Sequence, residues 1–139
     1  MTQLNAYLSF DGNCAEAMRF YEKTLNGKLE TLLTFAQTPV GDKAPEADKD
    51  RIMHAYLSFD GQVLMAGDAP AGQPYEPMRG ITLTLSYDTV AQARPIFEAL
   101  AEGGEITMPF QAAFWAEGFG MCIDRFGTPW IVNGSLKDM

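Results

Sequence analysis

The sequence predicts an α+β fold made of two successive halves, each running strand, helix, then three strands. Three observations carry this. Two stretches with helical spacing each follow a short alternating strand. The remaining apolar runs have the length and alternation of strands. Residues 68–80, which hold three prolines, separate the two series.

In the first half, "LNAYLSF" alternates, with Asn5, Tyr7 and Ser9 on one face and Ala6, Leu8 and Phe10 on the other, as a strand requires. Asn13 reads as a helix N-cap, and Glu16 completes a capping box. Ala17, Phe20, Tyr21, Thr24 and Leu25 form an apolar stripe, and Asn26-Gly27 stops the helix. "KLETLLTF" is the next strand. Residues 36–51, rich in Pro, Asp, Lys and Ala, are expected to form a mobile loop. In the strand "IMHAYLSF", Met53, Ala55, Leu57 and Phe59 share one face; His54, Tyr56 and Ser58 share the other. Asp60-Gly61 signals a hairpin that returns through "QVLMAGD".

The second half restarts with the strand "ITLTLSYD", which puts Thr82, Thr84 and Ser86 on one face. Thr89 and Gln92 form a second capping box, followed by the stripe Ile96, Phe97 and Leu100. Pro95 is expected to disturb this helix, and Gly103-Gly104 ends it. "EITMPFQ", "GMCIDR" and "PWIVNG" are strands, separated by "AAFWAEGF" and by a turn that Asp124 and Arg125 set. Trp130 alternates onto the helix-covered face and is read as core.

The heptapeptide "AYLSFDG" occurs at residues 6–12 and again at 55–61. The first copy leads into a helix and the second into a hairpin, so they are not equivalent positions. The counterpart of the first is "TLSYDT", residues 84–89.

With 139 residues, nearly half of them apolar, the chain suits one domain with a real core. A net charge of -8 argues against nucleic acid and against an anionic membrane surface. No apolar run approaches the roughly 20 residues that span a bilayer. The N-terminus lacks the pattern of a signal peptide, so a cytoplasmic location is expected. Cys14 and Cys122 are expected to be reduced thiols in or near the core. Cys14, at a helix start, is also a place where a thiol pKa can fall. No glycine pattern of a phosphate loop or Rossmann fold follows a strand. This speaks against an S-adenosylmethionine methyltransferase.

The candidate site residues come from the polar strand faces. His54 is the only histidine. A lone histidine on a strand is more often structural than catalytic. Among the hydroxyls of Tyr7, Tyr56 and Ser58, however, it is the candidate acid/base. Phe114, Trp115, Glu117 and Phe119 in "FWAEGFG" suit a loop over an apolar ligand; packing in the core or a dimer interface explains them equally. Glu117 is a possible general base, though a solvated carboxylate is the commoner case. Met53, Met65 and Met108 fit an apolar lining or ordinary core.

"YLSFDGNCAEAMRFY", "IMHAYLSFDGQVLMAGD" and "FWAEGFGMCIDRFGTPWIVN" resemble the vicinal-oxygen-chelate superfamily of glyoxalase I, bleomycin-resistance proteins and extradiol dioxygenases, and within it the PhnB-like branch. The resemblance implies two βαβββ modules forming curled mixed sheets around a half-open cavity. It divides a single domain of residues 1–139 into module one (1–68), a linker (69–79) and module two (80–134). It also implies a homodimer and, in metal-using relatives, a divalent metal held by His, Glu or Gln at four places. Those places fall on Asn5, His54, Thr82 and Ile131, of which only His54 is a good ligand. The resulting expectation is a binder of a small organic ligand with no resident cofactor. Its contact residues would be Asn5, Tyr7, His54, Tyr56, Thr82, Phe114, Trp115 and Glu117. Two alternatives stay open. One is a lyase, isomerase or dioxygenase with a metal anchored on His54, or with His54 alone as acid/base. The other is a non-catalytic scaffold or interaction protein.

Overall fold

The strand-helix-three-strand order occurs twice, as the sequence predicts. The computed structural model describes residues 2–39 and 41–138. The chain divides into two compact units, Met1–Pro77 and Met78–Met139. In the first, β1 (Ala6–Phe10), α1 (Cys14–Thr24), β2 (Lys28–Thr34), β3 (Ile52–Phe59) and β4 (Gln62–Asp68) give a sheet of order β1-β4-β3-β2. In the second, β5 (Leu83–Tyr87), α2 (Val90–Ala101), β6 (Glu105–Ala113), β7 (Ala116–Ile123) and β8 (Pro129–Leu136) repeat it as β5-β8-β7-β6. In each unit the first strand runs parallel to the last and the other pairings are antiparallel. Both sheets are therefore mixed and open, in an α+β arrangement.

Alternation sorts the faces of the first sheet. Leu8, Phe10, Ala55, Leu57, Leu64 and Ala66 are buried, as are Cys14, Ala17, Met18 and Tyr21 of α1, which lies on β2, β3 and β4. Removing these apolar side chains from water is the main stabilising term. One departure from strict alternation occurs at Met53. The β2–β3 register shifts between Leu33 and Thr34, and a bulge there reverses the facing of the residues before it. Ile52 is consequently buried, while Met53 is 39 % exposed and not part of the core face. Met65 and Met108 also lie outside the core.

The start of α1 corrects the sequence expectation. Asn13 holds the cap position, but its side chain makes no capping bond. The acceptor comes from 54 residues away. Asp68 Oδ1 accepts from the N–H groups of Gly12 at 2.9 Å and Cys14 at 3.0 Å, and its Oδ2 from Ile52 at 2.8 Å. An ionised acceptor binds backbone N–H more strongly than a neutral amide, so Asp68 displaces Asn13 from the task. Arg51 adds a strap, donating to Asp11 Oδ1 at 3.1 Å and to the Ala69 carbonyl at 2.7 Å.

Residues 36–51 are also better held than the composition implies, Val40 lying outside the described residues. Three short 3-10 turns occupy Phe35–Gln37, Gly41–Lys43 and Glu46–Asp48. Backbone bonds from Phe35 to Arg51 and from Ala36 to Lys49 close the base. Buried Asp48 accepts from the Ala71 N–H at 2.7 Å. The next turn follows expectation: Asp60 (φ 47°) and Gly61 (φ 73°) are both left-handed, as a type I′ hairpin needs.

In the second unit the Thr89–Gln92 capping box forms in both directions. Pro95 does not break α2. Pro95 and Ala91, one turn earlier, are exposed, so water can satisfy the carbonyl that loses its partner. The helix lies close on the sheet because Gly134 has no side chain: a Cβ there would come within 2.8 Å of Val90 Cα. Asp124 organises the β7–β8 turn as expected. Its Oδ1 accepts from Phe126 and Thr128 N–H, and its Oδ2 from the indole of buried Trp130 at 2.8 Å.

Cys14 is fully buried, so the thiol pKa does not fall at this helix start. Burial first, then the Asp68 carboxylate, pushes it up to about 12; Cys122 rises to about 11 by burial and Asp124. The helix dipole is outweighed by desolvation.

Three outcomes follow from these contacts. Asp68→Ala strands buried N–H groups and should lower unfolding free energy by about 3 kcal/mol or more, measured by urea denaturation. Gly134→Ala should cost about 1–3 kcal/mol by the same assay; an unchanged midpoint would refute the close approach of α2. The unfolded chain sheds thiol protons near pH 9, whereas the native chain keeps them until about pH 11–12. Stability should thus fall as pH rises through that window, and Cys14→Ala should flatten the fall.

Candidate functional site

Each sheet leaves one face without a helix, and on that face of the first sheet stand Tyr7, His54 and Tyr56. In the first unit the pairing sets Tyr7, Met65, Tyr56 and Thr31 side by side across β1, β4, β3 and β2. Tyr7 is 51 % exposed. Its ring lies over Gly67: a Cβ on Gly67 would meet the Tyr7 hydroxyl at 2.6 Å. The absent side chain lets the hydroxyl reach across β4 and donate to the Met53 carbonyl at 3.3 Å, an acceptor placed there by the bulge. Tyr7 then stacks on His54 (ring centroids 6.1 Å, interplanar angle 22°), and His54 meets Tyr56 at 6.4 Å and 59°. The result is a row of three rings, one from β1 and two from β3, at favourable aromatic spacing. Burial, then the neighbouring Cys14, raises the Tyr7 pKa, so this phenol is a neutral donor at physiological pH.

Asn5 does not join this row. It precedes β1, is exposed, and lines a groove of about 280 Å³ with Gln3, Leu4, Gly61, Gln62 and Val63. Thr82 likewise precedes β5 and is exposed.

In the second unit "FWAEGFG" is not a covering loop. β6 extends to Ala113 and β7 begins at Ala116, so Phe114 and Trp115 form the two-residue link of a hairpin. Phe114 is 79 % exposed. Its ring meets Trp115 edge-on at 4.8 Å, and Trp115 meets Phe119 at 4.7 Å. Glu117 is exposed on β7. The Trp115 indole donates to Asn133 Oδ1 at 3.3 Å, and Asn133 Nδ2 donates to Ser86 Oγ at 3.3 Å. Asn133 is 6 % exposed. Sequence reasoning missed it, although an amide inside the apolar run "WIVNG" is a readable signal. Asp68 was missed as well, its position at the end of a strand giving no hint of the distant N–H groups it serves.

The four places that the resemblance implies for metal ligands do not supply a donor set. Ile131 has no donor atom, while Asn5 and Thr82 are exposed neutral side chains outside the strands. Only His54 offers a strong ligand, and transition metals need several. Among the described residues, no group of three or more His, Cys, Asp or Glu is placed to hold an ion. The donor set does not fit a divalent metal. None of the described helices is long and apolar enough to cross a membrane.

Comparison with known proteins places this architecture. A Pseudomonas aeruginosa protein, PA1353, has a crystal structure that superposes with a TM-score of 0.89 at 44 % identity, over 96 % of this chain and 97 % of that one. Protein YjdN of Escherichia coli (strain K12) is 36 % identical over 139 residues, spanning 94 % of this chain and 93 % of its own. A Bacillus cereus structure described as a putative 3-demethylubiquinone-9 3-methyltransferase, PhnB protein, matches with a TM-score of 0.80 over 95 % and 98 % of the two chains. Its 22 % identity makes that a likeness of fold. The family model for the Glyoxalase/Bleomycin resistance protein/Dioxygenase superfamily matches residues 3–132, and with that span and these relatives the chain belongs to this superfamily.

Proposed function

We propose that the protein binds a small, partly apolar organic molecule without a resident metal. The observation that carries this is the row Tyr7–His54–Tyr56 on the uncovered face of the first sheet. Three rings with polar edges offer apolar contact together with hydrogen bonds, the usual mixture in a small-molecule site. Gly67 gives the row its shape, and Met65 supplies an adaptable neighbour. Asn5 in the first unit and Thr82, Phe114, Trp115 and Glu117 in the second are further candidate contacts, each on its own unit, and His54 is the candidate acid/base of the row.

In this reading the protein works in the cytoplasm as a homodimer. Ile106 on the edge strand β6 and Leu136 at the end of β8, both more than half exposed, are apolar surface that such a pairing would cover.

A thermal-shift screen of small aromatic compounds should find binders, because a ligand of the native state raises its melting temperature. For such a binder His54→Ala should raise Kd about tenfold, equivalent to about 1.4 kcal/mol. Gly67→Ala should do the same by pushing Tyr7 off the sheet. Unchanged affinity in both variants would sink the proposed row. Elemental analysis of untagged protein prepared without chelator should find well under one metal ion per chain; one firmly held ion would overturn the metal-free reading.

A further inference from the structure

The polar chain on the second sheet has a direction. An indole N–H can only donate, so Trp115 fixes the amide of Asn133 with Oδ1 toward the ring and Nδ2 toward Ser86. Ser86 Oγ accepts that bond, which leaves its own proton free to be donated outward. Asn133 keeps its second Nδ2–H. Two donors thus gather at the Ser86 end, which is exposed, while half-buried Trp115 presents an apolar ring at the other, with Phe119 buried against it. Both bonds measure 3.3 Å, longer than the usual 2.9–3.0 Å, so each can lengthen or be shared when a better acceptor arrives.

The cluster is also held in place. The Trp115 carbonyl accepts from the Lys137 N–H at 2.7 Å. Two residues before Lys137, Ser135 adopts φ 57°, a left-handed conformation that a non-glycine residue holds only where its surroundings impose it. Phe114 and Phe119 both meet the indole edge-on. Ordering such a group beforehand lowers the cost of binding. No charged side chain takes part in the cluster's bonds, and the chain carries a net charge of -8. A neutral acceptor therefore suits it better than an anion.

We infer that Ser86, Asn133 and Trp115 form a subsite for the carbonyl group of a neutral, flat ligand, an aromatic amide, ketone or ester. Ser86 and Asn133 donate to the carbonyl oxygen, and the ligand's ring rests against Trp115. This inference rests on the proposal that the protein binds a small organic molecule, and adds the chemistry that would select it.

The test is a titration of ¹⁵N-labelled protein with benzamide, followed by two-dimensional NMR, with benzoate and benzylamine as controls. Benzamide should shift the Asn133 side-chain NH₂ and Trp115 indole signals in a saturable way. Benzoate should bind at least tenfold more weakly, and benzylamine should leave both signals in place. Ser86→Ala, an exposed change that leaves the core alone, should raise the benzamide Kd about tenfold; Asn133→Leu should do so too where the variant folds. Signals that stay still, equal affinity for benzoate, or an unchanged Kd in Ser86→Ala would each overturn the subsite. Benzamide shifts confined to Tyr7, His54 and Tyr56 would overturn it while sustaining the ring row on the first sheet. Shifts confined to Asn133 and Trp115 would sustain it and remove the row.

Discussion

The carboxylate of Asp68 closes the first unit. It stands at the end of β4 and reaches the turn after β1, the first residue of α1 and the first residue of β3. Two segments far apart in sequence, residues 12–14 and the start of β3, thus end on one side chain. Backbone N–H groups at a helix start and at a strand start need acceptors when buried; here both needs meet in the same anion. The second unit uses the same device differently. Asp124 gathers two N–H groups of its own turn and the Trp130 indole, so its reach is local. One buried acid pins a helix to a sheet, and the other tightens a hairpin around a core tryptophan.

These two acids also show what a sequence can and cannot reveal. Asp124 precedes Phe126-Gly127 and is readable as a turn former, because its partners are two to six residues away. Asp68 has its capping partner 54 residues away, and nothing near either residue announces the other. Local rules led to Asn13, which has the right residue type at the right offset. The same contrast runs through the strands. Alternation gave β3 and β4 their full extents, and Asp60-Gly61 its hairpin. The link at Phe114 and Trp115 contains no Gly, Asn, Asp or Pro, so no turn chemistry marked it. The bulge at Met53 is set by pairing with β2, which lies beyond a long connection.

For the site, strand parity was enough to align Tyr7 with the His54–Tyr56 face, since a period of two assigns sides without reference to distance. It could not tell that Asn5 and Thr82 fall just outside their strands, where sheet register no longer controls direction. Nor could it see Gly67 as the reason Tyr7 reaches His54. A missing side chain shapes that face as much as the rings do.

The glycines of the second sheet have a similar effect on the opposite side. Side chains at Gly118, Gly120 and Gly134 would collide with Phe110, Phe97 and the backbone of α2, so the helix-facing layer has no spare volume. The layer away from α2 carries Ser86, Phe119, Ile131 and Asn133, of which Phe119 and Asn133 are buried among side chains rather than against helix backbone. Changes of size and polarity on that layer can be absorbed without moving α2. A fold divided in this way gives descendants freedom to exchange their chemistry on one surface while the other stays locked, which suits a superfamily whose name already joins a lyase, a drug-resistance protein and an oxygenase.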